Sequence, residues 1–290
     1  MELDLTAARD FMATHARVLD RRRFAGDTRG ALLALDGYRN ADGGYGWGLE
    51  PDLRSPESQP GAALHAFEVF AEAGKDTSPH AAALCDWLES ITLPDGGLPF
   101  ALPLAYEEGT APWWRGADPG VSALQITSIS AAAAHHVAAH DPAVAAHPWL
   151  ATATRYTLDA LRAMDEPPFA YVLAFAVRFL DAVHDKEPDA PALLAKLAAW
   201  VPADGKVAVR GGAEGETLHP LDLAPAPDGA ARSLFTREVV EADLDRVAAG
   251  QHEDGGWSVD YLKISPAGAM DWRGVATFNA VELLRRNGRG

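Results

Sequence analysis

The sequence predicts an all-α fold built from repeated pairs of helices, and three observations support this prediction. An Asp-Gly-Gly turn followed by an apolar or aromatic residue occurs three times, beginning at Asp42, Asp95 and Asp254. Each copy follows a helix-like stretch and precedes, after a loop, another such stretch. Apolar residues recur at helical spacing, and strand-like alternation is almost absent. A turn that recurs at corresponding points of a helical chain indicates a repeat architecture.

The turn itself has a local physical cause. Gly at the end of a helix adopts a positive φ without a Cβ penalty, so the chain reverses sharply. The Asp side chain can accept hydrogen bonds from nearby backbone amides, and the aromatic residue can cover the turn.

About ten helices are expected, and several begin with recognisable signals. Asp27 and Ser78 suit N-cap positions, and Pro60 suits a first helical turn. The predicted helices cover residues 3–23, 28–38, 60–72, 78–91, 120–140, 148–164, 168–185, 191–201, 236–250 and 271–287. Residues 203–230 are rich in Gly, Pro and Asp, and a loop of this length indicates either function or disorder. A short strand is possible at 206–210.

The last turn carries a family resemblance. Residues 247–257, which contain Gln251 and end in Asp-Gly-Gly-Trp257, resemble the repeat of the prenyltransferase and squalene–hopene cyclase superfamily. The copies at Asp42 and Asp95 lack the Gln, and residues 200–207 resemble an eroded fourth copy. Residues 42–60 also resemble a stretch found in bacterial proteins of this superfamily. The resemblance implies an α/α toroid of five or six helical pairs, forming a single domain over residues 1–290.

Helix character fits the inner and outer rings that such a toroid contains. Residues 169–183 are apolar on nearly every face, which is typical of a buried helix and fits the inner ring. Residues 238–249 have one charged face and fit the outer ring; the string from Asp243 to Arg246 is expected on that exposed face. Loops 45–59, 98–120 and 258–271 would then converge on one mouth of the toroid.

Composition excludes several classes of protein. The 290-residue chain has a net charge of −16 and no basic stripe, so a nucleic-acid partner is not expected. The longest apolar stretch, 169–183, is too short to span a bilayer, and no secretory signal is recognised, so a cytoplasmic protein without a transmembrane segment is expected. The single cysteine, Cys85, excludes an internal disulfide and is expected to be buried. The sequence names neither a cofactor nor an oligomeric state.

The loop 50–59 is the first candidate site. Its carboxylates lie in a segment stiffened by two prolines, and such a loop can hold a general acid. Glu50 and Asp52 are the predicted catalytic acids; the predicted substrate-binding residues here are Trp47, Arg54, Glu57 and Gln59. The residues equally allow a solvated surface loop in which Arg54 bridges the carboxylates.

Two further aromatic groups belong to the predicted substrate site. Trp113, Trp114 and Arg115 suit an apolar or sugar-like ligand, although they also suit a lid packed on the rim. Tyr261 and Trp272 form the third group, whereas Trp257 is assigned to the repeat turn itself.

Metal-binding and cyclase motifs are missing from the sequence. His135 and His136 would point about 100° apart on a helix, which makes them poor joint metal ligands. His136 and His140 have a better spacing for a metal, but a pair of histidines at the helix end near Asp141 is favoured over a metal site. No metal is therefore predicted. Neither the Asp-x-Asp-Asp acid motif nor the Asp-Asp-x-x-Asp magnesium motif occurs, and a zinc-ligand set like that of the protein prenyltransferases cannot be matched.

Three functions remain open at this stage, and whether the protein is an enzyme is one of the open questions. The first is a terpene-cyclase-like protein that binds an apolar isoprenoid-type molecule, with Asp52 or Glu50 starting an acid-initiated cyclisation and aromatic faces stabilising cations. The second is a non-catalytic protein that binds a small molecule or a partner. The third is a carbohydrate-active toroid with paired carboxylates and Trp platforms.

Overall fold

The computed structural model describes residues 3–261 and 263–290. These residues form fourteen α-helices and one two-stranded antiparallel sheet, so the prediction of a mainly helical chain is confirmed. None of the helices in the described ranges combines the length and apolar character needed to cross a bilayer. The helices are α1 Leu5–His15, α2 Val18–Phe24, α3 Thr28–Leu35, α4 Pro60–Ala73, α5 Pro79–Ile91, α6 Pro112–Arg115, α7 Leu124–Ala138, α8 Pro142–Ala145, α9 Pro148–Ala163, α10 Ala170–Val183, α11 Ala190–Ala198, α12 Pro220–Leu223, α13 Arg237–Ala249 and α14 Pro266–Arg286; the strands are β1 Val207–Ala208 and β2 Thr217–Leu218.

The prediction of one continuous helix at the start of the chain is wrong. Residues 3–23 form two helices, because Ala16 adopts an extended conformation with ψ 156°. The break lets Arg21 Nε donate to the Ala16 carbonyl oxygen at 2.7 Å. It also places the buried Asp20 carboxylate against Arg17, with Nε to Oδ2 at 2.7 Å. Helical periodicity alone cannot detect such a break.

Helix α14 begins earlier than predicted. It starts at Pro266 rather than at residue 271, and Pro is favoured in a first turn, where its missing N–H is not needed. The preceding loop is therefore shorter than the expected 258–271. That loop includes Leu262, which lies outside the described residues.

The contacts divide the chain into two compact units. The central unit contains residues 27–165 and 264–268, and the terminal unit contains the described residues of 1–26, 166–263 and 269–290. The expectation of a single domain over 1–290 stays a prediction.

The central unit is built around α4 and α7, which pack against each other. Ten of the 14 residues of α4 and ten of the 15 residues of α7 are buried. Helices α3 and α5 pack against α4, and α9 packs against α5 and α7. Phe67 of α4 stacks on Trp149 of α9 with ring centroids 5.9 Å apart. Two buried helices are thus covered by more exposed ones. The N-caps predicted at Asp27 and Ser78 are confirmed, because each side chain accepts a hydrogen bond from an amide in the first turn of its helix.

The terminal unit has a core around Trp257. Its indole packs among Ala8, Leu244 and Leu284, and its Nε1–H donates to the Val247 carbonyl oxygen at 2.7 Å. The Gln251 side chain donates to the Gly255 carbonyl oxygen at 3.0 Å. Residues 247–257, which resemble the superfamily repeat, therefore form a local unit held by hydrogen bonds from the side chains of both Gln251 and Trp257.

Two expectations about helix faces in the terminal unit are wrong. Helix α10 is less uniformly buried than predicted, because Tyr171, Phe175 and Arg178 are partly exposed. Asp243 of α13 is buried rather than exposed, because its carboxylate accepts hydrogen bonds from Leu221 N at 2.9 Å and from Arg246 Nε at 2.6 Å.

The Asp-Gly-Gly turns share one geometry. The first Gly of each copy has a positive φ, 92° at Gly43, 94° at Gly96 and 88° at Gly255. In each copy the Asp carboxylate accepts a hydrogen bond from the amide two residues later, at 3.0–3.1 Å. The segment 200–207 has the same features, with a φ of 71° at Gly205 and the Lys206 amide 3.1 Å from the Asp204 carboxylate. The turn chemistry predicted from sequence is therefore present four times.

The segment 203–230 is folded rather than structureless. It contains β1, β2 and α12, so the short strand expected at 206–210 is present as β1. The buried Glu216 accepts a hydrogen bond from Tyr171 Oη at 2.7 Å and from the Ala213 amide at 2.7 Å. These contacts hold the segment against α10 within the terminal unit.

Candidate functional site

Two loops of the central unit contact each other. The first loop is residues 39–59, before α4, and the second loop is residues 92–123, between α5 and α7. The Gln59 side chain accepts from the Leu102 amide at 2.8 Å and donates to the Leu102 carbonyl oxygen at 3.2 Å. The Ala111 amide donates to the Asp52 carbonyl oxygen at 2.8 Å. The first loop is thus fixed to the second by two hydrogen bonds of the Gln59 side chain and one backbone hydrogen bond.

The start of α14 also approaches the first loop. A Cβ placed on Gly268 would lie 2.7 Å from the Pro51 carbonyl oxygen, so only Gly allows this approach. Parts of all three loops that the sequence predicted to converge therefore meet within the central unit.

An imidazole between two carboxylates lies below the first loop. Glu50 Oε2 is 2.9 Å from His65 Nε2, and Glu68 Oε2 is 2.9 Å from His65 Nδ1. Glu50 Oε1 accepts a hydrogen bond from the Asp52 amide at 3.0 Å. Helix α4 supplies His65 and Glu68, which are three residues apart and therefore lie on one helix face. The first loop supplies Glu50, so the cluster joins the loop to the helix.

The electrostatics of this cluster favour a charged imidazole. Burial alone would lower the pKa of His65, but the carboxylates of Glu68 and Glu50 outweigh it and raise that pKa to about 10. Both ring nitrogens then act as donors. Both oxygens of Glu50 are already used as acceptors, one by His65 and the other by the Asp52 amide. Glu50 is therefore poorly arranged as a proton donor, and Asp52 is the stronger candidate for that role.

Asp52 is buried at the contact between the two loops. Only 3% of its surface is exposed to solvent. Its amide bonds to Glu50 Oε1 and its carbonyl oxygen accepts from Ala111, so the backbone is held on both sides. The burial of Glu50 and Asp52 argues against the alternative of a simply solvated surface loop.

Trp47 lies exposed above this buried layer. Its side chain is 57% exposed, and its φ of 58° makes it the one non-glycine residue with a positive φ in the described part of the chain. The conformation is held by two hydrogen bonds, from Trp47 N to the Ser55 carbonyl oxygen at 3.0 Å and from Trp47 Nε1 to Asn40 Oδ1 at 2.8 Å. A bulky residue in this region is strained, and such strain is concentrated at functional sites.

Other predicted ligand-binding residues of the first loop have structural contacts. Gln59 is buried and its side-chain amide bonds to the backbone of Leu102, and its assignment to ligand binding stays a prediction. Glu57 accepts a hydrogen bond from the Ser55 hydroxyl. The Arg54 guanidinium lies beside Gly48, where a Cβ would come 3.2 Å from Arg54 Cζ. These side chains stabilise the loop, and Arg54 stays partly exposed beside Trp47.

The two adjacent Trp residues of the second loop have different surroundings. Trp113 is 40% exposed, whereas Trp114 is 7% exposed and stacks on Phe100 with ring centroids 4.5 Å apart. Arg115 is exposed, and its Nη1 lies 3.8 Å from a Glu107 carboxylate oxygen. Trp113 and Arg115 thus belong to the surface, while Trp114 belongs to the buried layer.

The third predicted aromatic group lies in the terminal unit. Tyr261 and Trp272 contact each other edge to face, with centroids 5.2 Å apart. Their assignment to the same site as the loop residues stays a prediction.

One group of side chains among the described residues has metal-like spacing. Single ligand atoms of Asp86, Glu89 and His147 lie within 4.8 Å of one another. However, His147 Nδ1 accepts the Trp149 amide at 3.2 Å, so Nε2 carries the proton and faces Asp86 Oδ1 at 3.1 Å. A protonated nitrogen cannot bind a metal, and the group is explained as a helix cap whose imidazole donates a hydrogen bond to Asp86. His136, on α7, and His140, in the turn after α7, both lie exposed on the surface.

His65 and Glu68 were missed at the level of sequence. Their three-residue spacing on a predicted helix was the available signal, because it places both side chains on one face. What sequence spacing could not show is the approach of Glu50 from a loop that precedes the helix.

Comparison with known proteins adds no relative. No protein-family model matches the sequence, and no curated protein is significantly similar to it. Function must therefore be argued from the site itself.

Proposed function

We propose that this chain is a terpene-cyclase-like protein that binds an apolar, isoprenoid-type small molecule on the surface formed by the first and second loops. One observation carries the proposal. Seven large hydrophobic side chains are exposed among the described residues, and four of them lie on these two loops: Trp47, Tyr106, Trp113 and Val121. Exposed apolar side chains concentrated on contacting loops are typical of a binding surface, whereas single scattered ones need no explanation.

The buried layer beneath this surface supports a reactive role for Asp52. Proton transfer requires an acid held in a fixed position. Asp52 meets this requirement, since its amide and its carbonyl oxygen are both bonded and its side chain is buried. If the protein is an enzyme, the proposed reaction is therefore an acid-initiated cyclisation in which Asp52 donates the proton.

The α/α toroid belongs to the same proposal. Four turns with one geometry support a repeated helical unit. Within the central unit, α4 and α7 form a buried pair covered by α3, α5 and α9, which agrees with inner and outer helices.

The alternatives differ in their support. Non-catalytic binding is favoured by the state of Glu50, whose carboxylate is fully engaged by His65 and the Asp52 amide. Glycan hydrolysis needs a sugar between two carboxylates. The imidazole of His65 fills the space between Glu50 and Glu68, so this pair gives the carbohydrate function no support.

Binding is tested first. The purified protein is extracted with organic solvent, and any co-purified molecule is identified by mass spectrometry. Farnesol binding is then followed by tryptophan fluorescence in the wild type and in Trp47→Ala and Trp113→Ala. We expect each substitution to weaken binding several-fold, whereas Phe169→Ala, at an exposed aromatic residue of the terminal unit, serves as the control. Equal affinities in all four proteins would reject the proposed surface.

Catalysis is tested with the isosteric variant Asp52→Asn. The wild type and the variant are incubated with farnesol, geranylgeraniol or squalene, and products are analysed by gas chromatography with mass spectrometry. Product from the wild type alone, with retained ligand binding in the variant, would support Asp52 as the donor. Binding without product in the wild type would establish the non-catalytic alternative.

A further inference from the structure

The second loop buries two polar groups for which the described residues provide no hydrogen-bond partner. They are Trp114 Nε1 and Thr110 Oγ1. Trp114 is 7% exposed and Thr110 is 1% exposed. An indole N–H can only donate, and burying it unpaired is unfavourable. The missing partner must therefore be an acceptor that the chain does not supply.

Packing fixes the direction of the Trp114 N–H. The indole stacks on Phe100 with an interplanar angle of 19°. Its six-membered ring lies against Gly61 at the start of α4, where a Cβ would come 2.8 Å from Cη2. The preceding Ala111 is bonded to Asp52 in the first loop. The donor is therefore held in place rather than free to turn toward another acceptor.

Two other Trp residues show that this chain can supply an acceptor for an indole N–H. Trp257 Nε1 donates to the Val247 carbonyl oxygen, and Trp47 Nε1 donates to Asn40. Trp149 also lacks a partner, but it is 1% exposed and stacks on Phe67 between helices. Trp114 differs from Trp149 in its position, because Trp149 lies between packed helices whereas Trp114 lies on the second loop next to the exposed Trp113.

We infer that Trp114 and Thr110 form a polar subsite that binds a neutral oxygen atom of the ligand. The ligand is then an isoprenoid alcohol or carbonyl compound rather than a hydrocarbon. The oxygen is neutral because an indole N–H and a hydroxyl carry no charge, so neither group would balance a buried anionic oxygen. This inference rests on the proposed binding of a small molecule at the loop surface.

The first test needs no natural ligand. Dimethyl sulfoxide, a small neutral acceptor, is titrated into the ¹⁵N-labelled wild type, and the indole N–H resonances are followed by NMR. The Trp114 and Trp149 resonances are assigned from their absence in Trp114→Phe and Trp149→Phe. We expect the Trp114 resonance to move downfield and saturate, and the Trp149 resonance to stay. An equal response of the two resonances, or no response at Trp114, would mean that water alone occupies the site and would overturn the inference.

The second test compares farnesol with farnesene, which lacks the oxygen. Losing one hydrogen bond corresponds to about a two- to tenfold loss of affinity. We expect such a loss for farnesol in Trp114→Phe and in the nearly isosteric Thr110→Val, with farnesene binding changed by less than about twofold. Trp149→Phe is the matched control. Equal losses for both ligands would show that Trp114 only packs, and would overturn the inference. If the wild type binds neither ligand, the proposed isoprenoid function fails, and the sulfoxide titration alone decides on the subsite.

Discussion

The side-chain amide of Gln59 pairs with both backbone groups of Leu102, forty-three residues later in the chain. Gln59 is fully buried, and its side chain supplies both hydrogen bonds to the backbone of the partly buried Leu102. This contact, together with that between Asp52 and Ala111, makes one layer from two loops that are separate in sequence.

The pairing predicts the effect of Gln59→Met. Methionine has a similar volume but leaves the Leu102 amide and carbonyl without partners, so a loss of about 3 kcal/mol in the free energy of unfolding is expected. Urea denaturation measures it. Gln125→Met, at a partly exposed position of α7, is the control and should change stability by less than about 1 kcal/mol. Equal losses in the two variants would contradict the role of the pair.

The His65 cluster predicts a specific dependence on pH. The folded-state pKa of about 10 exceeds the value of about 6.5 in an unfolded chain, so the cluster stabilises the fold fully below pH 6.5 and loses this contribution as pH rises toward 10. We expect His65→Gln to be about 2–3 kcal/mol less stable than the wild type at pH 6, between the values for exposed and buried ion pairs.

The measurement is urea unfolding of both proteins at several pH values between 6 and 10. The difference between wild type and variant should shrink steadily over this range. His136→Gln, at an exposed position of α7, controls for the general effect of losing a histidine. A difference that is constant with pH would show that folding does not raise the pKa of His65.

Trp47 predicts an unusual order of stabilities. A loop Gly normally destabilises relative to Ala, because it has more freedom when unfolded. At a φ of 58°, however, Ala is strained and Gly is not, so Trp47→Gly should be about 1 kcal/mol more stable than Trp47→Ala. Thermal unfolding gives the order. Both variants should bind farnesol more weakly than the wild type, and if Ala proved the more stable replacement, the strained conformation would be excluded.

The third Asp-Gly-Gly turn predicts a contrast between two glycines of the terminal unit. A Cβ on Gly255 would lie 2.1 Å from the Ala7 carbonyl oxygen, whereas a Cβ on Gly26 would meet nothing within 4 Å, although both have positive φ. Gly26→Ala should therefore cost only about 1 kcal/mol of backbone strain. Gly255→Ala adds a steric clash and should cost about 3 kcal/mol or more. Calorimetric unfolding tests this, and similar melting of the two variants would argue against the close approach.

The sequence by itself determined the local features of this protein. Asp and Gly at fixed spacing produce the same turn at Gly43, Gly96 and Gly255, because the hydrogen bond and the positive φ both arise within three residues. Helix starts at Thr28 and Pro79 follow from the caps that precede them, since a cap bonds an amide two or three residues away. The degenerate fourth copy of the turn, at Gly205, has the same positive φ and the same Asp hydrogen bond.

The tertiary structure alone decided which polar and aromatic side chains are buried. Trp113 and Trp114 are neighbours with the same local preferences, yet only Trp114 is covered, because Gly61 and Phe100 come from other parts of the chain. The sequence predicts Asp243 on an exposed helix face, but in the structure its carboxylate is buried and accepts a hydrogen bond from the Leu221 amide. Burial and pairing depend on groups far apart in sequence, and those distances are set only when the helices pack.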